Sequence, residues 1–230
     1  MTVTTNLTDP TFDFYGFAAQ INIVGVGGIG SHVARLLVKG GLRSHLAVWD
    51  GDHVEPHNCR NQTYDPEQVG QLKTDALRHK IRKWGGTDPI QFPHLTKGQR
   101  LIPGIVFLCV DRMDTRQEIW QSCVKGNAEV PIFIETRMDG INILIHVVDP
   151  CDPTHQHDWE RYCSYSDAEA VNETTGCGGP IAVLPSASMT ADLAVWQLMR
   201  YADIKGGAND VLDNQIRFNI RTLEIKKFRW

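Results

Sequence analysis

Residues 21–31, Ile21-Asn22-Ile23-Val24-Gly25-Val26-Gly27-Gly28-Ile29-Gly30-Ser31, decide the fold. A short apolar run, Ile21–Val26, feeds a cluster of glycines. Beyond it, Ile29, Val33, Leu36, Leu37 and Gly40 recur at helical spacing, so the order is strand, tight turn, helix. Such a turn lets backbone amides approach a phosphate at the helix N-terminus, where the peptide dipoles favour negative charge. Gly25, Gly27 and Gly30 take the three glycine positions of G-x-G-x-x-G, and Gly28 lies between them. A second strand, His45–Trp49, closes on Asp50-Gly51-Asp52, with Asp50 twenty positions after Gly30. An acid at that place is set to bond a ribose hydroxyl. These features point to an adenine nucleotide, with NAD as the default guess.

The rest of the chain extends the same pattern. Val69–Trp84 reads as a helix bounded by Gly85-Gly86, and Ile105–Val110 as a third strand ending at Asp111. A helix from about Asp114 to Val124 follows, then strands at Pro131–Glu135 and Ile141–Val148. Ser186–Tyr201 is helical, with Ser186 or Ser188 as N-cap, and Gln215–Trp230 alternates as one or two closing strands. The expected class is α/β: a Rossmann-like, mostly parallel sheet with helices on both faces and antiparallel C-terminal strands. An N-terminal segment (1–20) precedes a nucleotide-binding core (21–148). Residues 149–179 are polar, lack periodicity and read as a crossover loop; loops of that length are usually functional or disordered. Residues 180–230 return to the same domain.

Composition sets outer limits. With 230 residues, 42% hydrophobic and 22% charged, the chain can bury a sizeable core in one large domain. The formal charge of −4 gives no global attraction to nucleic acid or anionic lipid. No run approaches the roughly 18 apolar residues of a membrane span, and the first twenty residues carry no secretory signal pattern. The reading is a soluble, cytoplasmic protein. Six scattered cysteines without a Cys-x-x-Cys pair fit reduced thiols, with Cys109 a small core residue inside its apolar strand.

Four ordered elements carry a resemblance. The strand and GxGGxGS turn (Val24–Ser31), D-x-D-x-V-x-x-x-N (Asp50–Asn58), V-G-x-x-K (Val69–Lys73) and D-x-x-x-x-R (Asp111–Arg116) resemble the ThiF/MoeB/HesA family. These bacterial relatives of ubiquitin-activating enzymes adenylate the C-terminal carboxylate of ubiquitin-like proteins with MgATP. The resemblance implies roles by position. Lys73 is the phosphate cation, Asp111 the Mg²⁺ ligand, Asp50 (with Asp52) the ribose contact, and Asn58 and Gln62 line the triphosphate pocket. The implied chemistry is consistent with these charges. A carboxylate attacking the α-phosphorus needs positioning and charge neutralisation rather than a nucleophilic side chain.

The chain also departs from the family. The common N-x-x-R-Q is here Asn58-Cys59-Arg60-Asn61-Gln62, which shifts the triphosphate arginine to Arg60 or removes it. The usual D-N pair is Asp111-Arg112, the two zinc-binding Cys-x-x-Cys pairs are missing, and the first basic residue is Arg35. Many relatives carry a reactive cysteine in the crossover. Cys177, in Thr-Thr-Gly-Cys-Gly-Gly-Pro, is the first candidate and Cys163 the second, since thiolates are strong nucleophiles even as minor species. A zinc set of Cys151, His155, His157 and Cys163 is the other reading of this loop, although C-x3-H-x-H-x5-C matches no standard structural site. The expected partners are a ubiquitin-like or sulfur-carrier protein with a C-terminal Gly-Gly and a second copy in a homodimer, with Phe12–Phe17 as interface material. Alternatives are adenylation of a small-molecule or RNA-attached carboxylate, a NAD-dependent oxidoreductase, or a nucleotide-binding partner without catalysis.

Overall fold

The computed structural model describes residues 19–42, 46–95, 99–164 and 184–230. Eight strands form one sheet: β1 (Ile21–Val24), β2 (Leu46–Trp49), β3 (Ile90–Phe92), β4 (Ile105–Leu108), β5 (Phe133–Asp139), β6 (Asn142–Val148), β7 (Gln215–Asn219) and β8 (Glu224–Phe228). Their order is β3-β2-β1-β4-β5-β6-β7-β8. The first five in that order pair in parallel, and β6, β7 and β8 are added antiparallel. β1, β2 and β4 are buried at every position. That burial explains why they read as continuous apolar runs rather than alternating ones.

Among the described residues five α-helices pack with the sheet: α1 (Gly28–Lys39), α2 (Lys73–Lys83), α3 (Met113–Ile119), α4 (Pro153–Tyr162) and α5 (Leu184–Lys205). One apolar cluster joins α1, α2 and α5 to the sheet through Val33, Leu37, Leu77, Ile81, Ala194 and Leu198. A second gathers Trp120, Phe133 and Trp159 with α3 and α4, the two indoles stacked with centroids 4.4 Å apart. The core is thus split by the sheet into two layers, as the expected class requires.

Several boundaries differ from the sequence reading for identifiable reasons. Gly70, at φ +87, turns the chain, so α2 begins at Lys73 rather than Val69. α3 continues past Ile119 as a single π-helical turn, Trp120–Val124. Residues 149–179 are not wholly loop, since α4 occupies Pro153–Tyr162. Asp152 caps it by accepting from the Thr154 and His155 amides at 2.8 and 3.3 Å, and Pro153 sits in the first turn. Trp159 is its one fully buried side chain, so the helix leaves no apolar period to read. β3 is only three residues long and was not anticipated.

Candidate nucleotide site

The register of the central strands builds the site. Val24 pairs with Trp49 on one side and Leu108 on the other. Gly25, Asp50 and Asp111 therefore follow the carboxyl ends of three adjoining central strands, the first of which leads into α1. Gly25 adopts φ +85, and a side chain there would press on the Cys109–Val110 backbone at 3.0 Å. Gly30 faces the carbonyl of Gly25 so closely that no Cβ fits. α1 begins at Gly28 with Gly27 as N-cap and no side-chain cap, which leaves its first amides available to an anion.

Asp50 is buried and spans two loops. Its Oδ2 accepts from the Val26 amide and its Oδ1 from the Asp52 amide, both at 2.9 Å. The Tyr64 hydroxyl donates to the Val26 carbonyl at 2.7 Å and pins the same turn from the opposite side. Burial, reinforced by the Asp50 charge, pushes the Tyr64 phenol well above its ordinary range, so it stays a donor.

Lys73 is placed by a short antiparallel bridge between His53 and Leu72. Its amide donates to the Asp52 carbonyl at 2.8 Å, and its ammonium reaches Asp52 Oδ2 at 2.9 Å. The lysine is buried although it opens a helix, where a cation opposes the dipole. The paired Asp52 offsets that conflict. Asp52 also lies 3.5 Å from His94 Nε2, and Asp50, Asp52 and His94 bring ligand atoms within 4.8 Å of one another.

The loop after β2 wraps over α1. Asn58 is buried, its Oδ1 accepting from the Glu55 amide at 2.9 Å, while Arg60 is exposed in the same short 3₁₀ turn. The Gln62 amide lies near Gly27, 3.9 Å from the position of a Cβ there. Gln62 Oε1, Thr63 Oγ1 and His32 Nδ1 are buried without a hydrogen-bond partner. Buried polar atoms are rarely left unpaired, so this neighbourhood fits a polar ligand over the turn. Asp111 is exposed just beyond β4, and Arg112 holds the N-cap position of α3 without a side-chain capping bond.

Behind Asp111 lies a network that the sequence reading missed. Glu135 on β5 is fully buried and accepts from Arg116, from Arg137 Nε at 2.5 Å and from His146 Nδ1 at 2.6 Å. Arg116 also donates to the Val110 carbonyl, one residue before Asp111. Burial opposes the Glu135 charge, but Arg137, Arg116 and His146 together hold the carboxyl well below its ordinary range.

The remaining sequence candidates separate. Cys163 is buried with Arg137 Nη2 at 2.6 Å from its sulfur, and burial pushes its thiol up to about 12, which disfavours the thiolate. The zinc set does not assemble. His155 and His157 lie two positions apart on α4 and so point to different sides. His155 Nδ1 accepts from the Asp149 amide at 3.1 Å and its Nε2 contacts the Asn214 amide at 2.9 Å, while Cys151 is exposed. Among the described residues, Asp50, Asp52 and His94 are the one group with metal-ligand proximity. Cys177 and Phe12–Phe17 lie outside the described residues.

The model of the ThiF family matches residues 17–229. The chain belongs to the ThiF family. Among relatives of this ThiF-family chain is ubiquitin-like modifier-activating enzyme 5 of Rattus norvegicus, 30% identical over 123 residues, covering 45% of this chain and 30% of that protein. The chain thus spans about a third of that relative's length. Similar solved structures include E. coli MccB with MccA-N7isoASN, at TM-score 0.67 and 17% identity, covering 91% of this chain and 64% of that one. MccB with ATP superposes at TM-score 0.66 with 16% identity, covering 91% and 63%. These likenesses establish the shared fold of this ThiF-family chain. No helix among its described residues is long and apolar enough to cross a membrane.

Proposed function

We propose that the chain activates a carboxylate by adenylation with ATP. The observation that supports this is that Asp50 and Asp111 of the family's spaced elements follow adjoining central strands whose β1 leads into the uncapped start of α1, with Lys73 held on Asp52 beside Asp50. In this reading the glycine turn and the α1 amides take the phosphates, Lys73 neutralises the charge that develops on departing pyrophosphate, and Asp50 meets the ribose. The substrate carboxylate attacks the α-phosphorus as the bond to pyrophosphate breaks, which leaves an acyl-adenylate. Asp111 is a hard oxygen ligand suited to Mg²⁺, and Asn58 and Gln62 line the triphosphate pocket. When bound, Mg²⁺ supplies further neutralisation of the phosphate oxygens.

The acyl donor we assign is the C-terminal carboxylate of a ubiquitin-like or sulfur-carrier protein ending in Gly-Gly, with Cys177 as acceptor of the activated acyl group and a homodimer as the working form. Similarity to a ubiquitin-like modifier-activating enzyme supports this substrate class. MccB, solved with MccA-N7isoASN, favours a second reading in which the carboxylate belongs to a short peptide. The departures at Arg60 and Arg112 leave either exposed guanidinium as the added phosphate charge.

ATP–pyrophosphate exchange tests the proposal. Exchange dependent on a Gly-Gly-ending protein supports the first reading, and exchange with a peptide or small acid supports the second. Asp111→Ala is expected to abolish exchange while the circular dichroism and melting temperature stay near wild type. Near-normal exchange in that variant, or tight NADH binding without exchange, overturns the assignment.

A further inference from the structure

Asp111 is exposed, and its carboxylate accepts no hydrogen bond among the described residues, so its backbone sets its position. One residue holds that backbone on both sides. Upstream, the Arg116 guanidinium donates to the Val110 carbonyl; downstream, the Arg116 amide donates to the Arg112 carbonyl at 3.1 Å. The Cys109 amide, donating to the Val24 carbonyl at 2.8 Å, ties the same stretch to β1.

Arg116 is in turn held from across the sheet. Its side chain is only 4% exposed and donates to Oε1 of the fully buried Glu135 on β5. His146 on β6 donates from Nδ1 to Glu135 Oε2 at 2.6 Å, and Gln215 on β7 donates from Nε2 to His146 Nε2 at 2.8 Å. The far end fixes this direction. Arg217 Nε, 3.0 Å from Gln215 Oε1, can only donate, which leaves the Gln215 nitrogen for His146 and the Nδ1 proton for Glu135. From Arg217 to Val110 every donor meets an acceptor, through three strands and α3. Buried ion pairs add little net stability, whereas a satisfied buried network rigidifies what it holds.

We infer that Arg116 is a positioning residue for Asp111, and that Glu135, His146 and Gln215 hold Arg116 in place. The inference rests on the reading of Asp111 as the acid that serves the nucleotide, and deepens it. A displacement of about 1 Å caused by a remote substitution can cost on the order of a hundredfold in rate.

Two measurements on the full chain test this: deuterium uptake of the Cys109–Met113 backbone, and the Mg²⁺ concentration for half-maximal ATP–pyrophosphate exchange. Arg116→Lys keeps a cation beside Glu135 but loses the planar fork that also reaches Val110. It is expected to raise uptake and to raise the Mg²⁺ requirement about tenfold or more. His146→Leu, which removes the donor to Glu135, should shift both in the same direction by less. His146→Gln, which retains a donor, should stay near wild type. Leu198→Ala, a core substitution on α5, should lower the melting temperature without moving either readout. Wild-type uptake and Mg²⁺ requirement in Arg116→Lys, or equal shifts in Leu198→Ala, overturn the inference. A wild type without exchange sinks the adenylation reading alone, and the uptake of Arg116→Lys against Leu198→Ala then decides this one.

Discussion

At the scale of single residues, Gly30 is the most constrained position near the site. Its missing Cβ leaves room for the Gly25 carbonyl, and the neighbour in the way is backbone, which cannot swing aside. Gly30→Ala is therefore expected to destabilise the fold by about 1–3 kcal/mol, the ordinary range for overpacking, with the turn displaced. Denaturant unfolding should show a lowered midpoint at an unchanged slope. Lys73 makes a different point. Local helix preference argues against a buried cation at a helix start, and the structure retains it through Asp52. Residues that break a local rule while being carefully held are where function is to be sought.

At the scale of elements, the Glu135 network joins β5, β6 and α3 through one carboxylate. His146 also meets Gln215 on β7 at 2.8 Å. Burial, aided by Arg137 and Arg116, holds His146 below the ordinary histidine value of 6.5 against the pull of Glu135. The unfolded chain consequently binds this proton more readily than the folded one, so stability is full above about 6.5 and falls as pH drops below it. His32, also lowered by burial, acts in the same direction. The melting temperature of wild type should decline from pH 7.5 to about 5.5, and His146→Gln should flatten part of that slope. A variant slope equal to wild type would place the acid sensitivity elsewhere. The strands other than β3, and α1, were legible because their apolar residues are contiguous, alternating or helically spaced. The candidate residues Gly25, Asp50 and Lys73 stand out in the sequence through their spacing. The Glu135 network and the Tyr64 staple were not, because each joins positions far apart in sequence: Tyr64 and Val26 lie 38 residues apart. Nor was α4, whose capping by Asp152 and Pro153 has no apolar stripe behind it.

At the scale of the whole molecule, the sheet has two unlike ends. Its parallel part carries the candidate nucleotide site after β1, β2 and β4, and its antiparallel part ends at β8. Four inter-strand steps separate β4 from β8, roughly 19 Å at about 4.8 Å per step. The strand order therefore sets the β8 end of the sheet well away from the candidate nucleotide site, so substitutions confined to β8 are expected to leave ATP affinity unchanged by calorimetry.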